Sequence, residues 1–333
     1  VDFRSIRFMR MFLKDFDEEV LLRFAKLELV RGEWRRYLQD LSQPGEGVVT
    51  DPNLTSFDIG AVNIQENSDR SPIKYIIPPG IQREIDPSQQ VQRQMNEQSL
   101  TLEVCGLQDG DARAAYKNVT FDVRGYKKMK LFVHAESMVN QIPIDNEDLT
   151  VFVRLGTDFT ENYYEYEVPL TVTAAQATLD TDVWPEANNI EIVFDDFTKL
   201  KQKRNNLIEG GSSTLSYNLE YSEPDPNYGN KRIRVKGNPN FQGIKTIMIG
   251  VRNPKNNAAN PWQDDGMAHC GIIWVNELRL TDFVSEGGSA AIAQMQIQGA
   301  DFFNISASGS YSGYNWGAVD SRVQERQRDQ RIN

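Results

Sequence analysis

Between residue 99 and residue 280, short runs rich in Val, Ile, Phe, Tyr and Thr alternate apolar with polar positions and are separated by clusters of Gly, Pro, Asn and Asp. A two-residue period bounded by turn formers is the pattern of half-buried β-strands. Leu100, Leu102 and Val104 open the series. Strands are predicted next over Val119–Val123, Met129–Ala135, Leu149–Leu155, Tyr163–Val172, Ile190–Phe194, Lys231–Val235, Thr246–Val251 and Gly271–Leu280. About nine strands with turns between them predict an all-β fold, an antiparallel jelly-roll-like β-sandwich over 99–284.

The pattern changes on either side of this series. Over 44–98, Pro44, Pro52, Pro72, Pro78, Pro79 and Pro87 fall among Gln, Asn and Ser, the composition of an extended linker. Before it, Val20, Leu21, Phe24 and Leu27 fit one helical face, while the alternation around Leu27 and Leu29 fits a strand. Ser5–Phe12 followed by Leu22–Leu29 echoes Thr246–Val251 followed by Ile273–Leu280, which favours the strand reading. Residues 1–43 are then the closing strands of a preceding β-sandwich.

After residue 289 the two-residue period returns in a different form. Ala291, Ala293, Met295, Ile297 and Gly299 alternate with Ile292, Gln294, Gln296 and Gln298. Phe303, Ile305, Ala307, Gly309 and Tyr311 alternate with Asn304, Ser306, Ser308 and Ser310. Two strands of about 10 residues joined around Ala300–Asp301, each with one uncharged apolar face and one small polar face, carry the dyad pattern of an outer-membrane barrel strand. On this reading Ala293, Met295, Ile297, Phe303, Ile305 and Tyr311 face lipid. Gln294, Gln296, Gln298, Ser306 and Ser308 face a water-filled lumen, and Tyr311, Tyr314 and Trp316 supply an interfacial aromatic belt. A surface hairpin half exposed to water is the competing reading. The charged stretch from Gly317 to Asn333 is a loop or a third strand, so that 289–333 is expected to hold barrel strands and a loop.

Composition narrows the function classes. The chain has 333 residues, 47 acidic against 36 basic, for a net charge of −11. A chain this acidic is poorly suited to nucleic acid, which selects for positive surface. No apolar run approaches the roughly 20 residues of a membrane-spanning helix. Only His134 and His269 are present; His134 sits within a predicted strand as a core residue, and His269 and Cys270 point to opposite faces of one strand, so they form no dyad. Phosphate loops, dinucleotide glycine patterns, HExxH and GxSxG are all missing, and no catalytic residue, metal ligand or cofactor is assigned.

The acid pairs Glu147-Asp148, Asp195-Asp196 and Asp264-Asp265 read as solvated loop acids, and the run Lys199–Arg204 as a solvated loop. Cys105 and Cys270 lie in the first and last strands of the predicted sandwich. A cross-strand disulfide, which implies an oxidising extracytoplasmic compartment, is one reading and two reduced thiols the other. Trp184, Tyr228 and Trp262 in loops offer an alternative function, a secreted carbohydrate-binding module or adhesin in which they stack on sugars.

Five stretches together resemble one family: Leu29–Arg36, Tyr75–Glu84, Asn96–Leu100, Phe121–Glu136 and Trp274–Phe283. They are similar, in order, to the SprA/Sov family, giant outer-membrane proteins of Bacteroidota required for gliding motility and type IX secretion. The resemblance implies that the chain is a fragment of a protein-conducting β-barrel translocon with no enzymatic centre. The sandwich is then a globular insertion, an extracellular cap more readily than a periplasmic one, that docks other secretion components and cargo, and 289–312 is where the chain enters the barrel wall.

Overall fold

The computed structural model describes residues 33–39, 41, 54–83, 85, 94–121, 123–211, 214–257, 260–262, 264–284, 287–313, 316–317 and 329–332. The chain divides between Glu33 and Trp34 into two units, and the described residues belong almost wholly to the second, Trp34–Asn333. The expected strands over 5–12 and 22–29 lie outside the described residues.

In chain order the described strands are β1 (Arg35–Arg36), β2 (Ser56–Asn63), β3 (Gln98–Leu107), β4 (Ala112–Phe121), β5 (Tyr126–Ser137), β6 (Thr150–Gly156), β7 (Tyr163–Pro169) and β8 (Ile190–Val193). They continue as β9 (Tyr221–Pro224), β10 (Arg232–Lys236), β11 (Ile244–Arg252), β12 (His269–Phe283), β13 (Ala290–Gly299), β14 (Phe303–Ser312) and β15 (Asp329–Ile332). Three α-helices interrupt them, α1 (Ile64–Asn67), α2 (Asp180–Val183) and α3 (Phe194–Glu209), with a 3-10 turn at Glu186–Asn188. The fold is all-β, and its strands form antiparallel sheets: a seven-stranded sheet ordered β1-β4-β11-β6-β7-β10-β9, a five-stranded sheet ordered β2-β3-β12-β5-β8, and a three-stranded sheet β13-β14-β15.

The two larger sheets share one core. On β5, Met129, Leu131, Val133 and Ala135 point inward, and they belong to one buried cluster with Val151, Val153 and Leu155 of β6, Ile247, Ile249 and Val251 of β11, and Ile273 and Val275 of β12. Alternate residues of a strand therefore meet the facing sheet, as a period of two requires. The opposite face of the five-stranded sheet is not left to water. Val62, Ile73, Tyr75, Val183 and Trp184 form a second buried cluster over Ile272 and Trp274. This explains why β5 and β12 read as nearly continuous apolar runs: both of their faces are covered.

The region expected as linker thus has structural duties. Ser56–Asn63 pairs with β3 from Ser56↔Cys105 to Asn63↔Gln98, adding an edge strand to the five-stranded sheet. At its end the Asn63 side chain accepts from the Glu66 backbone N–H at 2.9 Å and caps α1. Likewise, Arg35–Arg36 pairs with Tyr116–Ala115 at the edge of the seven-stranded sheet, so this described end of 1–43 joins the sandwich that follows it. The stretch Lys199–Arg204, expected as a solvated loop, lies inside α3, whose Phe194, Phe197 and Leu200 enter the main core and whose Arg204 is buried. Asp195 and Asp196 occupy its first turn, where they favour the helix dipole, and Asp195 pairs with Lys199 at 2.6 Å.

Candidate functional site

The sheet β13-β14-β15 carries the residues singled out for a membrane role. β13 and β14 pair in one unbroken register from Ala290↔Ser312 to Gly299↔Phe303, closed by residues 300–302 with Ala300 at φ 42°. Directly opposed residues of an antiparallel pair share a face. The register sets Gln294 against Ser308, Gln296 against Ser306 and Gln298 against Asn304 on one face. On the other it sets Ala291 against Tyr311, Ala293 against Gly309, Met295 against Ala307, Ile297 against Ile305 and Gly299 against Phe303. From residue 293 to residue 299 like meets like, while nearer the base Ile292 opposes Ser310 and Ala290 opposes Ser312 on the polar face. A register shifted by one residue would have mixed amide and hydroxyl groups with the aliphatic row.

Neither face of this hairpin is buried by described residues. Met295, Ile297, Phe303 and Ile305 of the apolar row are all exposed, as are Phe302 beside the turn and Trp316 beyond the base. β15 pairs with β14 from Gly309↔Ile332 to Ser312↔Asp329, so the end of the charged tail adds a third strand. Tyr314 lies outside the described residues. Among them, no helix is long and apolar enough to cross a membrane.

Cys105 and Cys270 are joined by a disulfide that ties β3 to β12 across 165 residues of sequence. The register slips by one residue between His269 and Gly271. The extra residue is on β3, where Cys105 and Gly106 together oppose the single Cys270, and the Gly106 N–H donates to the Cys270 Sγ at 3.3 Å. Gly106 has φ 68°, and a Cβ there would lie 2.6 Å from the Leu54 carbonyl oxygen, so this position requires glycine.

The aromatics considered for sugar stacking do not make a platform. Trp184 and Trp262 are buried, and each donates its indole N–H to a backbone carbonyl at 2.7 Å, that of Ile76 and that of Asn230 respectively. Tyr228 alone is exposed, and Lys231 sits over its ring. His134 is a core residue, stacked on Trp274 at 3.9 Å with Nδ1 2.7 Å from the Val183 carbonyl oxygen.

A buried ionic cluster that the sequence reading missed lies on the outer face of the seven-stranded sheet. Arg154, Glu165, Glu167, Arg234 and Arg252 are all buried there. Arg154 grips Glu165 through Nε at 2.8 Å and Nη2 at 2.6 Å, Arg252 reaches Glu167 at 2.6 Å and Glu165 at 3.2 Å, and Arg234 bonds both carboxylates. Burial alone would raise the Glu165 carboxyl, but the guanidinium groups of Arg252, Arg154 and Arg234 outweigh it and hold the group down at about 2. Glu220 goes the other way: burial, then the charge of Glu165, pushes it up to about 7. Strand alternation would have exposed it: Glu165 and Glu167 alternate with Tyr164, Tyr166 and Val168, and Arg154 and Arg252 recur on the matching face of their neighbours.

Three of the stretches that resemble the SprA/Sov family also meet in space. Ile81, Arg83, Met95, Glu97, Glu277 and Arg279 line an open groove of about 540 Å³. At its floor Glu97 accepts from the Tyr75 hydroxyl at 2.6 Å and from the Asn276 amide. The model of the SprA_N family, described as motility related/secretion protein, matches residues 1–333. The chain belongs to this family. No curated protein gives a significant match to the chain. Membership of a secretion and motility family accords with the SprA/Sov resemblance of the sequence, and it gives the carbohydrate-binding reading no support.

Proposed function

We propose that the chain is part of the outer-membrane β-barrel translocon of type IX secretion in Bacteroidota. β13, β14 and β15 form a section of the barrel wall, and the sandwich is an extracellular cap that docks partner subunits and cargo. The observation that carries this reading is the register of β13 with β14, which sorts the hairpin into an uncharged apolar face and a polar face with nothing described covering either. A barrel wall is the environment that suits both faces at once. Ala293, Met295, Ile297, Phe303, Ile305 and Tyr311 meet lipid, while Gln294, Gln296, Gln298, Ser306 and Ser308 line water through which cargo passes.

The dimensions agree. From Phe303 to Tyr311 the apolar row spans eight residues, about 27 Å along the strand at roughly 3.4 Å each, and barrels of this kind carry an apolar band about 25 Å tall with aromatic girdles at its edges. Phe302 and Phe303 stand at one end of that row, Tyr311 and Trp316 at or beyond the other.

Connection lengths support the orientation. β13 and β14 are joined by residues 300–302, whereas residues 313–328 separate β14 from β15. Short turns face the periplasm and longer loops face outward in such barrels. The Ala290 end of β13, and with it the sandwich, then lies outside the cell.

The sandwich itself fits a jelly roll. Taking β3, β4, β5, β6, β7, β8, β11 and β12 as eight successive strands, the neighbours run first-eighth-third-sixth in one sheet and second-seventh-fourth-fifth in the other. That order is two interlocked Greek keys, with β9 and β10 added at one edge. This reading gives the chain no enzymatic step and no cofactor; transport is passive here and its energy comes from elsewhere.

Native envelope fractionation tests the proposal. Recovery of the polypeptide in the outer membrane, within a very large detergent-extracted assembly, is expected; recovery as a small water-soluble protein overturns it.

A further inference from the structure

At the end of the sandwich that holds the disulfide, His269 is enclosed by two carboxylates from separate loops. Its side chain is only 5% exposed. Nε2 lies 3.1 Å from Asp265 Oδ1, and since a carboxylate can only accept, this nitrogen carries the proton. In the neutral ring Nδ1 then presents a lone pair, and it faces another acceptor, Asp148 Oδ2, at 3.9 Å. No hydrogen bond spans that distance. Asp148 Oδ2 is itself held in place by the Asp145 N–H at 2.7 Å. Two electron-rich atoms 3.9 Å apart, on side chains only 5% and 14% exposed, are stabilised by a cation between them.

An ion bonded at about 2.1 Å to both atoms holds them about 3.4 Å apart at a tetrahedral angle and about 4.2 Å apart in line, and the 3.9 Å separation falls between these limits. The hydrogen bond from Asp265 to the far nitrogen reproduces the carboxylate–histidine–metal arrangement in which an outer carboxylate fixes the tautomer and the ring orientation. An imidazole donor disfavours Ca²⁺ and Mg²⁺, which take oxygen ligands, and suits a borderline ion of the zinc class. Asp148, Asp265 and His269 bring their donor atoms within 4.8 Å of one another.

We infer that Asp148 and His269 bind a zinc-class divalent cation, with Asp265 as the positioning residue and water completing the coordination. The ion joins the segment before β6 to the first residue of β12, next to Cys270 and its disulfide to Cys105. It is a second staple at the same end of the sandwich.

The test uses the untagged full chain, stripped with a chelator and titrated with zinc chloride by calorimetry. One zinc per chain at sub-millimolar concentration is expected. Asp148→Asn and His269→Gln should abolish binding, and Asp265→Asn should weaken it roughly 10- to 100-fold. With only two histidines in the chain and His134 in the core, imidazole nitrogen NMR of the unsubstituted protein gives a second readout that needs no variant. The His269 Nδ1 resonance should shift on zinc addition. The inference is overturned by absence of binding, by binding that persists unchanged in Asp148→Asn, or by a His269 ring protonated on both nitrogens and indifferent to zinc.

Discussion

In β7 all seven residues are buried, Glu165 and Glu167 among them, whereas in β13 nine of ten are exposed although Ile292, Met295 and Ile297 are large and apolar. Both strands obey the same two-residue period. What differs is what covers them. β7 has the facing sheet on one side and further protein over the other, so its polar face had to be neutralised internally, by guanidinium groups from β6, β10 and β11. The hairpin has neither cover among the described residues, and its apolar row is the kind of surface that each large side chain gains about 1.5–3 kcal/mol by removing from water. Residue type alone does not tell inside from outside in a β-protein; the register and the neighbouring layers decide.

The largest effect should come from breaking the buried charge cluster. Arg252→Met leaves Glu165 and Glu167 short of a countercharge away from water, and a loss of about 3–5 kcal/mol is expected from the urea midpoint of the sandwich transition. Next comes the staple between β3 and β12: Cys270→Ser should cost about 2–4 kcal/mol by the same measurement, and adding reductant to the unsubstituted chain should reproduce it.

A smaller, signed effect concerns pH. Glu165, depressed to about 2, contributes stability that is present above the ordinary glutamate range and lost as the pH falls toward 2. Glu220, raised to about 7, acts in the opposite sense: its contribution is complete below the ordinary glutamate range and lost as the pH rises through 7. Thermal midpoints should therefore decline on both sides of mildly acidic pH, and Glu220→Gln should flatten the neutral side while leaving the acid side in place.

The smallest effect belongs to the hairpin in water. Ile297→Ala should alter stability by about 0.5 kcal/mol or less, as for an exposed position, while Ile273→Ala in the shared core costs about 2–5 kcal/mol. Equal losses at the two sites would mean that the hairpin's apolar row is packed against protein after all.

The strands with strong alternation were readable from sequence, as was the hairpin, where even the face of each residue follows from parity. Other parts were hidden for physical reasons. β2 was hidden because the four apolar residues of Ser56–Asn63 lie in a proline- and asparagine-rich neighbourhood. α3 was masked because its buried stripe, Phe194, Phe197 and Leu200, ends on Arg204, a residue that reads as solvent-facing. Trp184 and Trp262 stand beside prolines in loops and looked exposed, yet their indole N–H groups each reach a backbone carbonyl from within the fold. The ionic cluster was harder to read: its alternation is present in the sequence, but two glutamates in one strand look solvated until the arginines of the neighbouring β6 and β10 and of β11 beyond are placed on the same face. The resemblance motifs pointed to the family, while the zinc-class site needed two segments, Asp148 and the stretch from Asp265 to His269, that only the fold brings together.

The most direct test of the hairpin's role is accessibility along 292–298 in native outer membranes. Single nitroxide labels at successive positions, on a chain whose Cys105–Cys270 disulfide is kept, report contact with oxygen dissolved in lipid or with a water-soluble relaxant. The account predicts strict alternation, with 293, 295 and 297 in lipid and 294, 296 and 298 in water. Uniform water access at every position would contradict it.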